Sequence, residues 1–189
     1  MSCTSRSFCT AVGFTTLPDR NTLPLAEMWN GRRWSITTTP TGKSGQFTGV
    51  SCNSASACAA VGSEANGKGG TKNFAEEWNG SAWSIAATPA TRGGDLGDLL
   101  NEVSCPSAAD YTAAGFYWLG GDGTAQSMIW SWNGKRWSGV STPSPTKTQA
   151  NQLYGVACPS ARTCTAVGII APDNTNNTRN LIETGRAGA

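Results

Sequence analysis

The chain consists of four copies of one unit. The first cysteines of successive copies lie 49, 53 and 53 residues apart, at Cys3, Cys52, Cys105 and Cys158. A second cysteine follows six positions later in three copies, at Cys9, Cys58 and Cys164. In the third copy Tyr111 takes this position. Self-similarity at a fixed period of this length is typical of repeat architectures, so the fold must be built from small repeated units.

Within each copy the sequence predicts four short β-strands. The motif Trp-Asn-Gly-x-x-Trp occurs three times, at 29–34, 78–83 and 132–137. Asn-Gly favours a hairpin with a type I′ turn, which requires positive φ at both central residues. No window has a sustained apolar period of 3.6 residues, so helix is not expected. The fourth copy ends without a fourth strand segment, and the prediction is therefore fifteen strands.

Antiparallel units of this size are typical of β-propeller blades. The copies span approximately 1–46, 47–98, 99–151 and 152–189, within one repeat domain over 1–189. Their cysteines and tryptophans resemble the Cys/Trp repeats of secreted actinobacterial proteins, and their length and strand count are similar to those of kelch-type β-propellers. The resemblance implies an all-β propeller of four four-stranded blades with the last incomplete, either whole or part of a larger or oligomeric propeller. The alternative is a linear or sandwich-like β array without closure.

The cysteine pairs predict disulfides. Two cysteines that flank a five-residue turn face each other on paired strands, so we expect the bonds Cys3–Cys9, Cys52–Cys58 and Cys158–Cys164, with metal ligation or free thiols as alternatives. Cys105 is left as a free thiol, either buried or linked to another chain. Such pairs are typical of extracellular proteins, and they predict secretion, although the sequence itself predicts no signal peptide.

Composition excludes several function classes. Lys and Arg number 14 and Asp and Glu 12, so the formal net charge is +2, which argues against a nucleic-acid partner. The chain has no histidine, which excludes His-dependent nucleophile activation and His-containing zinc sites. No apolar run approaches the ~20 residues that span a bilayer, so no membrane span is expected.

Tryptophans and glutamates recur at fixed strand positions. Recurrence favours packing between units over direct ligand contact for the six hairpin tryptophans, Trp29, Trp34, Trp78, Trp83, Trp132 and Trp137. Strand alternation places a glutamate on the same face in three copies, at Glu27, Glu76 and Glu183. Each of these carboxylates is either a structural hydrogen-bond acceptor or one member of the catalytic pair of a glycoside hydrolase.

The loops of variable content carry the candidate ligand-binding residues, because variable loops on a uniform scaffold are the usual place for binding. In the third copy Tyr117 and Trp118 precede a glycine-rich stretch. Each copy offers one acidic residue in the equivalent loop, at Asp19, Glu64, Asp122 and Asp173. Aromatic rings stack on sugars and carboxylates accept hydrogen bonds from sugar hydroxyls, so these six residues predict a carbohydrate site.

We therefore expect a non-catalytic, lectin-like recognition module whose partner is a glycan or a protein at the cell surface. The alternative is a protein–protein assembly subunit that completes its open edge with another chain and forms a homo-oligomer. A glycoside hydrolase with paired carboxylates is the third hypothesis. No cofactor is expected; the alternative is calcium, held by the loop acids or by the stretch 94–98.

Overall fold

The computed structural model describes residues 1–40, 42, 44–90, 96–119, 124–145, 149–171 and 178–185. Within these ranges the chain forms fifteen β-strands and no helix, so the all-β expectation is confirmed. The same residues contain no helix long and apolar enough to cross a bilayer.

The strands form four antiparallel sheets, in which neighbouring strands follow one another along the chain. The first sheet contains β1 (Ser2–Ser5), β2 (Phe8–Thr16), β3 (Thr22–Trp29) and β4 (Trp34–Thr37). The second contains β5 (Gly45–Ser54), β6 (Ala57–Ala65), β7 (Thr71–Trp78) and β8 (Trp83–Ala86). The third contains β9 (Asp98–Ser107), β10 (Asp110–Trp118), β11 (Ala125–Trp132) and β12 (Trp137–Val140). The fourth contains β13 (Ala150–Ser160), β14 (Thr163–Ala171) and β15 (Arg179–Gly185).

Each predicted disulfide staples the first hairpin of its own sheet. Cys3 pairs with Cys9, Cys52 with Cys58 and Cys158 with Cys164, as expected. In the third sheet Cys105 is a buried free thiol. Tyr111 fills the place of its missing partner, with its ring stacked on that of Trp132 at a centroid distance of 6.1 Å. Aromatic packing thus replaces the covalent bond at this position.

The Asn-Gly hairpins do not adopt the predicted type I′ turn. Trp29 pairs with Trp34, so four residues close the hairpin, and Gly31 alone among them has positive φ, at +90°. The reason is the Asn30 side chain, whose Oδ1 accepts hydrogen bonds from the N–H groups of Arg32 and Arg33 at 3.0 and 3.1 Å. The side chain closes the turn, and the backbone of Asn30 therefore keeps an ordinary φ.

Consecutive sheets pack face to face in chain order. In the second sheet Ala60 belongs to the core shared with the first sheet, and the adjacent Ala59 to the core shared with the third. Ala114 of the third sheet packs in the same way with Leu153 of the fourth. We call the face toward the preceding sheet, represented by Ala60, the upstream face. The face toward the following sheet, represented by Ala59, is the downstream face.

Hydrogen bonds between the first strands repeat along the chain. Serine hydroxyls accept from the N–H of the next sheet's first cysteine, in the pairs Ser2–Cys52 at 3.0 Å, Ser51–Cys105 at 3.1 Å and Ser104–Cys158 at 2.9 Å. Four residues before the cysteine, Thr48 and Asn101 donate to Leu100 and Leu153 carbonyls, both at 2.6 Å. The packing of one pair of sheets is therefore copied in the next.

Candidate functional site

The variable connections lie side by side at one end of the sheets. The link that enters the second sheet contacts both neighbouring loops: the Ser44 N–H donates to the Thr22 carbonyl at 2.7 Å, and the Ser44 carbonyl accepts from the Ala65 N–H at 2.9 Å. At the next sheet the Trp118 N–H donates to the Gly97 carbonyl at 3.2 Å. We call this end, defined by Ser44, Gly97 and the loops they contact, the loop end.

The two predicted aromatic ligands lie on opposite faces of β10. Tyr117 packs against the core between the second and third sheets. Trp118 contacts Phe116 edge-on at 5.3 Å, in the cluster between the third and fourth sheets. Phe116 also contacts the half-exposed Tyr154 at 6.3 Å. The aromatic group at the loop end is thus Trp118, Phe116 and Tyr154, and Tyr117 is not part of it.

Two of the predicted loop acids have local partners. Asp19 is exposed and accepts hydrogen bonds from the side chain and backbone N–H of Asn21, which lower its pKa. Glu64 forms an ion pair with Lys72 at 3.1 Å. Asp122, Asp173 and residues 94–95 of the 94–98 stretch lie outside the described residues, and Asp98 is fully buried. Within those described, no three acidic or cysteine side chains group as they would around a metal ion.

The hairpin tryptophans pack within and between sheets. Trp83 and Trp137 are 5% and 4% exposed, and both fill the space between their own sheet and the preceding one. The indole N–H groups of Trp29 and Trp78 donate to the carbonyls of Arg6 and Ala55 at 3.0 Å, each in the first hairpin turn of the same sheet. These contacts are structural.

The recurring glutamates are buried to different degrees. Glu76 is fully buried and Glu183 is 6% exposed, whereas Glu27 in the first sheet is half-buried. Ser127 donates to Glu183 Oε1 at 2.9 Å, and burial raises the pKa of Glu183. The fold therefore holds one such carboxylate on the upstream face of each sheet except the third, where Trp130 replaces it.

A second glutamate in the second sheet, Glu77, was not among the residues predicted from the sequence. Glu77 lies on the downstream face, where burial raises its pKa to about 8, although Trp137 and Tyr111 of the third sheet lower it through polar contact. The contact with Trp137 falls short of full hydrogen-bond geometry, because Glu77 Oε1 and Trp137 Nε1 both lack a partner among the described residues. The adjacent pair Glu76 and Glu77 could have indicated this, because neighbouring residues of a strand face opposite sides and one of the two glutamates must therefore face the third sheet.

The first and last sheets expose positions that the inner sheets bury. On the upstream face of the first sheet Trp34 is 41% exposed, unlike its buried counterparts Trp83 and Trp137. On the downstream face of the fourth sheet Val167 is 46% and Ile182 65% exposed, whereas Val61, the counterpart of Val167 in the second sheet, is fully buried. We call these two surfaces the open faces.

The disulfides and the open faces are the chemical features that bear most directly on function. Three disulfide-bonded pairs are typical of extracellular proteins. Comparison with known proteins adds no relative: no family model matches the chain, and a search of curated proteins finds no match to it.

Proposed function

We propose that the protein is a non-catalytic, secreted assembly module whose four sheets are β-propeller blades and whose open faces bind a second copy of the chain. The exposure contrast between the open faces and the internal interfaces carries this proposal. The positions that form the core between the inner sheets also carry apolar residues on the open faces, where they are exposed to solvent. Exposed apolar surface of this kind marks interaction sites.

The packing of the sheets supports the assignment as blades. The first strands of consecutive sheets contact one another, β5 with β9 and β9 with β13. A propeller places the first strand of each blade nearest its axis, so such contacts are expected there. Two copies supply up to eight blades, within the range of ~4–8 known for propellers.

The two open faces correspond to the two sides of an internal interface between sheets. The downstream face of the fourth sheet offers Val167 and Ile182, and the upstream face of the first offers Leu25 and Trp34. This pairing repeats the internal interfaces and is head-to-tail, so it uses two different surfaces of the chain. The fourth sheet has Ala157 in place of the repeated serine, so the proposed interface lacks one of the repeated inter-sheet hydrogen bonds.

The test is the solution mass, measured by sedimentation over a wide concentration range. The unmodified chain should gain mass with concentration. Trp34→Asp and Val167→Asp should each remain single chains, because each removes one open face. Ile85→Asp, at a position 61% exposed on an inner sheet, is the matched control and should associate normally.

Mixing the two variants separates head-to-tail pairing from other modes. Each variant keeps one intact open face, so an equimolar mixture of Trp34→Asp and Val167→Asp should form heterodimers. A constant mass of one chain for the unmodified protein contradicts the proposal. Association that survives Trp34→Asp alone also contradicts it, because the fourth sheet would then pair with itself.

Carbohydrate binding is the second candidate function, and the aromatic group at the loop end favours it. Trp118 and Tyr154 flank Phe116, and both residues are partly exposed. Aromatic surfaces of this kind stack on sugar rings. A glycan array tests this: Trp118→Ala should abolish a positive signal, and Tyr117→Phe should retain it, because Tyr117 packs between sheets. No binding at millimolar sugar contradicts this candidate.

A further inference from the structure

Between the third and fourth sheets lies a cleft that none of the described side chains fills. Its volume is about 230 Å³. The third sheet contributes Thr112, Ile129 and Val140 to its lining, and the fourth contributes Val156, Ala166 and Glu183. An apolar cavity of roughly 150 Å³ is enough to hold benzene, so this cleft has room for an aromatic side chain.

The same space between the other sheets holds a tryptophan. Trp83 fills it between the first and second sheets, beside Thr37 at the end of β4. Trp137 fills it between the second and third sheets, in the cluster that Ala86 at the end of β8 packs against. Val140 is the corresponding last residue of β12 and lines the cleft. The cleft is therefore the tryptophan position of the fourth sheet.

The described part of the fourth sheet lacks both hairpin tryptophans, the one that ends the third strand of the other sheets and the one that begins their fourth strand. The tryptophans of the other sheets come from a fourth strand, and no described strand pairs with β15 on the side away from β14. Gly185 stands where the third strands of the other sheets end in tryptophan, at Trp29, Trp78 and Trp132. The missing side chains account for the open space.

Glu183 supplies a polar partner inside the cleft. Its Oε1 accepts from Ser127, and its buried Oε2 has no partner among the residues described. In the first interface the Trp83 indole N–H donates to Thr37 Oγ1 at 3.3 Å. Val140 takes the place of Thr37 here and has no acceptor in its side chain. Glu183 Oε2 is thus the acceptor that an indole N–H would find.

We propose that this cleft and the open edge of β15 bind a tryptophan-bearing β-strand from another polypeptide. The strand would pair with β15 as β4 pairs with β3, which places its tryptophan opposite Gly185 and the residue two positions later opposite Glu183. Backbone hydrogen bonds then supply affinity, and the indole in the cleft supplies specificity. The ligand class is an extended Trp-Ser-x-x segment, as in 34–37, 83–86 and 137–140.

A labelled synthetic peptide tests the proposal directly. The peptide Arg-Arg-Trp-Ser-Ile-Thr-Thr-Thr, which copies residues 32–39, carries fluorescein, and its anisotropy is followed as the full chain is added. Binding should saturate and should weaken by about tenfold or more when alanine replaces the tryptophan, because the indole is then not buried. Equal binding of the two peptides, or no saturation at millimolar protein, overturns the proposal.

Variants of the protein locate the site. Val140→Trp fills the cleft from within and should abolish binding of the peptide. Ile182→Asp changes the other face of β15, so it should keep peptide binding while it removes association through the open faces. This pair makes failure of the strand site distinguishable from failure of the proposed assembly.

Free indole provides a readout that does not depend on folding of the Val140→Trp variant. In an isotope-labelled sample of the unmodified chain, indole should shift the amide signals of Ile129 and Ala166 and leave that of Val61 unchanged. An absence of shifts at Ile129 and Ala166 contradicts the assignment of the cleft.

Discussion

Gly62 lies so close to the carbonyl of Gln46 that a β-carbon on Gly62 would be 2.1 Å from the Gln46 oxygen. The contact occurs where β5 bulges against β6, between Phe47 and Gly49. Gly115 and Gly168 approach the carbonyls of the equivalent first strands in the same way. The repeated glycine is therefore required by a close approach of two backbones, a recognised use of glycine in strands.

Replacement of this glycine should destabilise the fold. Gly62→Ala should lower the free energy of unfolding by about 2 kcal/mol or more, because the clash is with backbone that cannot rotate away. Gly13→Ala is the matched control: its β-carbon meets nothing within 4 Å, so a change of about 0.5 kcal/mol or less is expected. Urea unfolding followed by circular dichroism measures both, and equal effects would contradict the role of the close approach.

Stability should fall as the pH rises from about 5 to 8. The pKa of Glu77 is about 8 in the fold against an ordinary value of 4.5, so the unfolded chain loses this proton first and the native state is progressively disfavoured. The chain has no histidine, so no imidazole titrates in this window. The melting temperature measured at intervals across this range checks the prediction.

Glu77→Gln provides the control for the pH dependence. The amide keeps the shape of the neutral carboxyl and has no proton to lose, so the slope of stability against pH should decrease. It should not vanish, because burial also raises the pKa values of Glu102 and Glu183. An unchanged slope in Glu77→Gln would assign the pH dependence to other groups.

Equivalent tryptophans should differ in their contribution to stability. Trp83→Ala should cost about 3–5 kcal/mol, because it empties the space between the first and second sheets. Trp34→Ala removes the half-exposed counterpart and should cost about 1 kcal/mol or less in dilute solution. Denaturant titrations of the two variants at low protein concentration make the comparison, and similar losses would mean that Trp34 is buried in the single chain.

Cys105 should be unreactive in the native protein. Its thiol is buried, and burial raises its pKa to about 12, so almost no thiolate is present at neutral pH. Ellman's reagent should titrate no thiol in the folded oxidised chain, one in denaturant, and all seven cysteines after reduction. Rapid reaction of the native protein would show that Cys105 is accessible, and the variant Cys105→Ala identifies the signal.

The hairpins could be predicted from the sequence because their determinants are local. Cys52 and Cys58 are six residues apart and lie on strands joined by a tight turn, so proximity along the chain implies proximity in space. The predicted type I′ turn was wrong for an equally local reason. The Asn30 side chain accepts hydrogen bonds from the backbone of the turn, so the Asn30 backbone does not need a positive φ.

Other features depend on contacts between sheets and could not be predicted in this way. The neighbours of Glu77 come from strands more than thirty positions away along the chain. By contrast, the placement of Tyr117 and Trp118 on opposite faces of β10 could have been predicted, because adjacent residues of a strand point to opposite faces. The open faces depend on which sheets lie side by side, because Trp34 and Trp83 occupy the same position of the repeat and, among the described strands, only Trp83 has a preceding sheet to pack against.

The serine hydroxyls that join first strands link each sheet only to its immediate neighbours along the chain. A stack of this kind behaves as a one-dimensional array, in which each layer gains stability from the layers on either side. Among the strands that the structure describes, the inner two sheets have a neighbour on both sides and the terminal two on only one, so amide hydrogens should exchange faster in β2 and β14 than in β6 and β10. Docking of a second copy on both open faces would remove this gradient, because every sheet would then be an inner one.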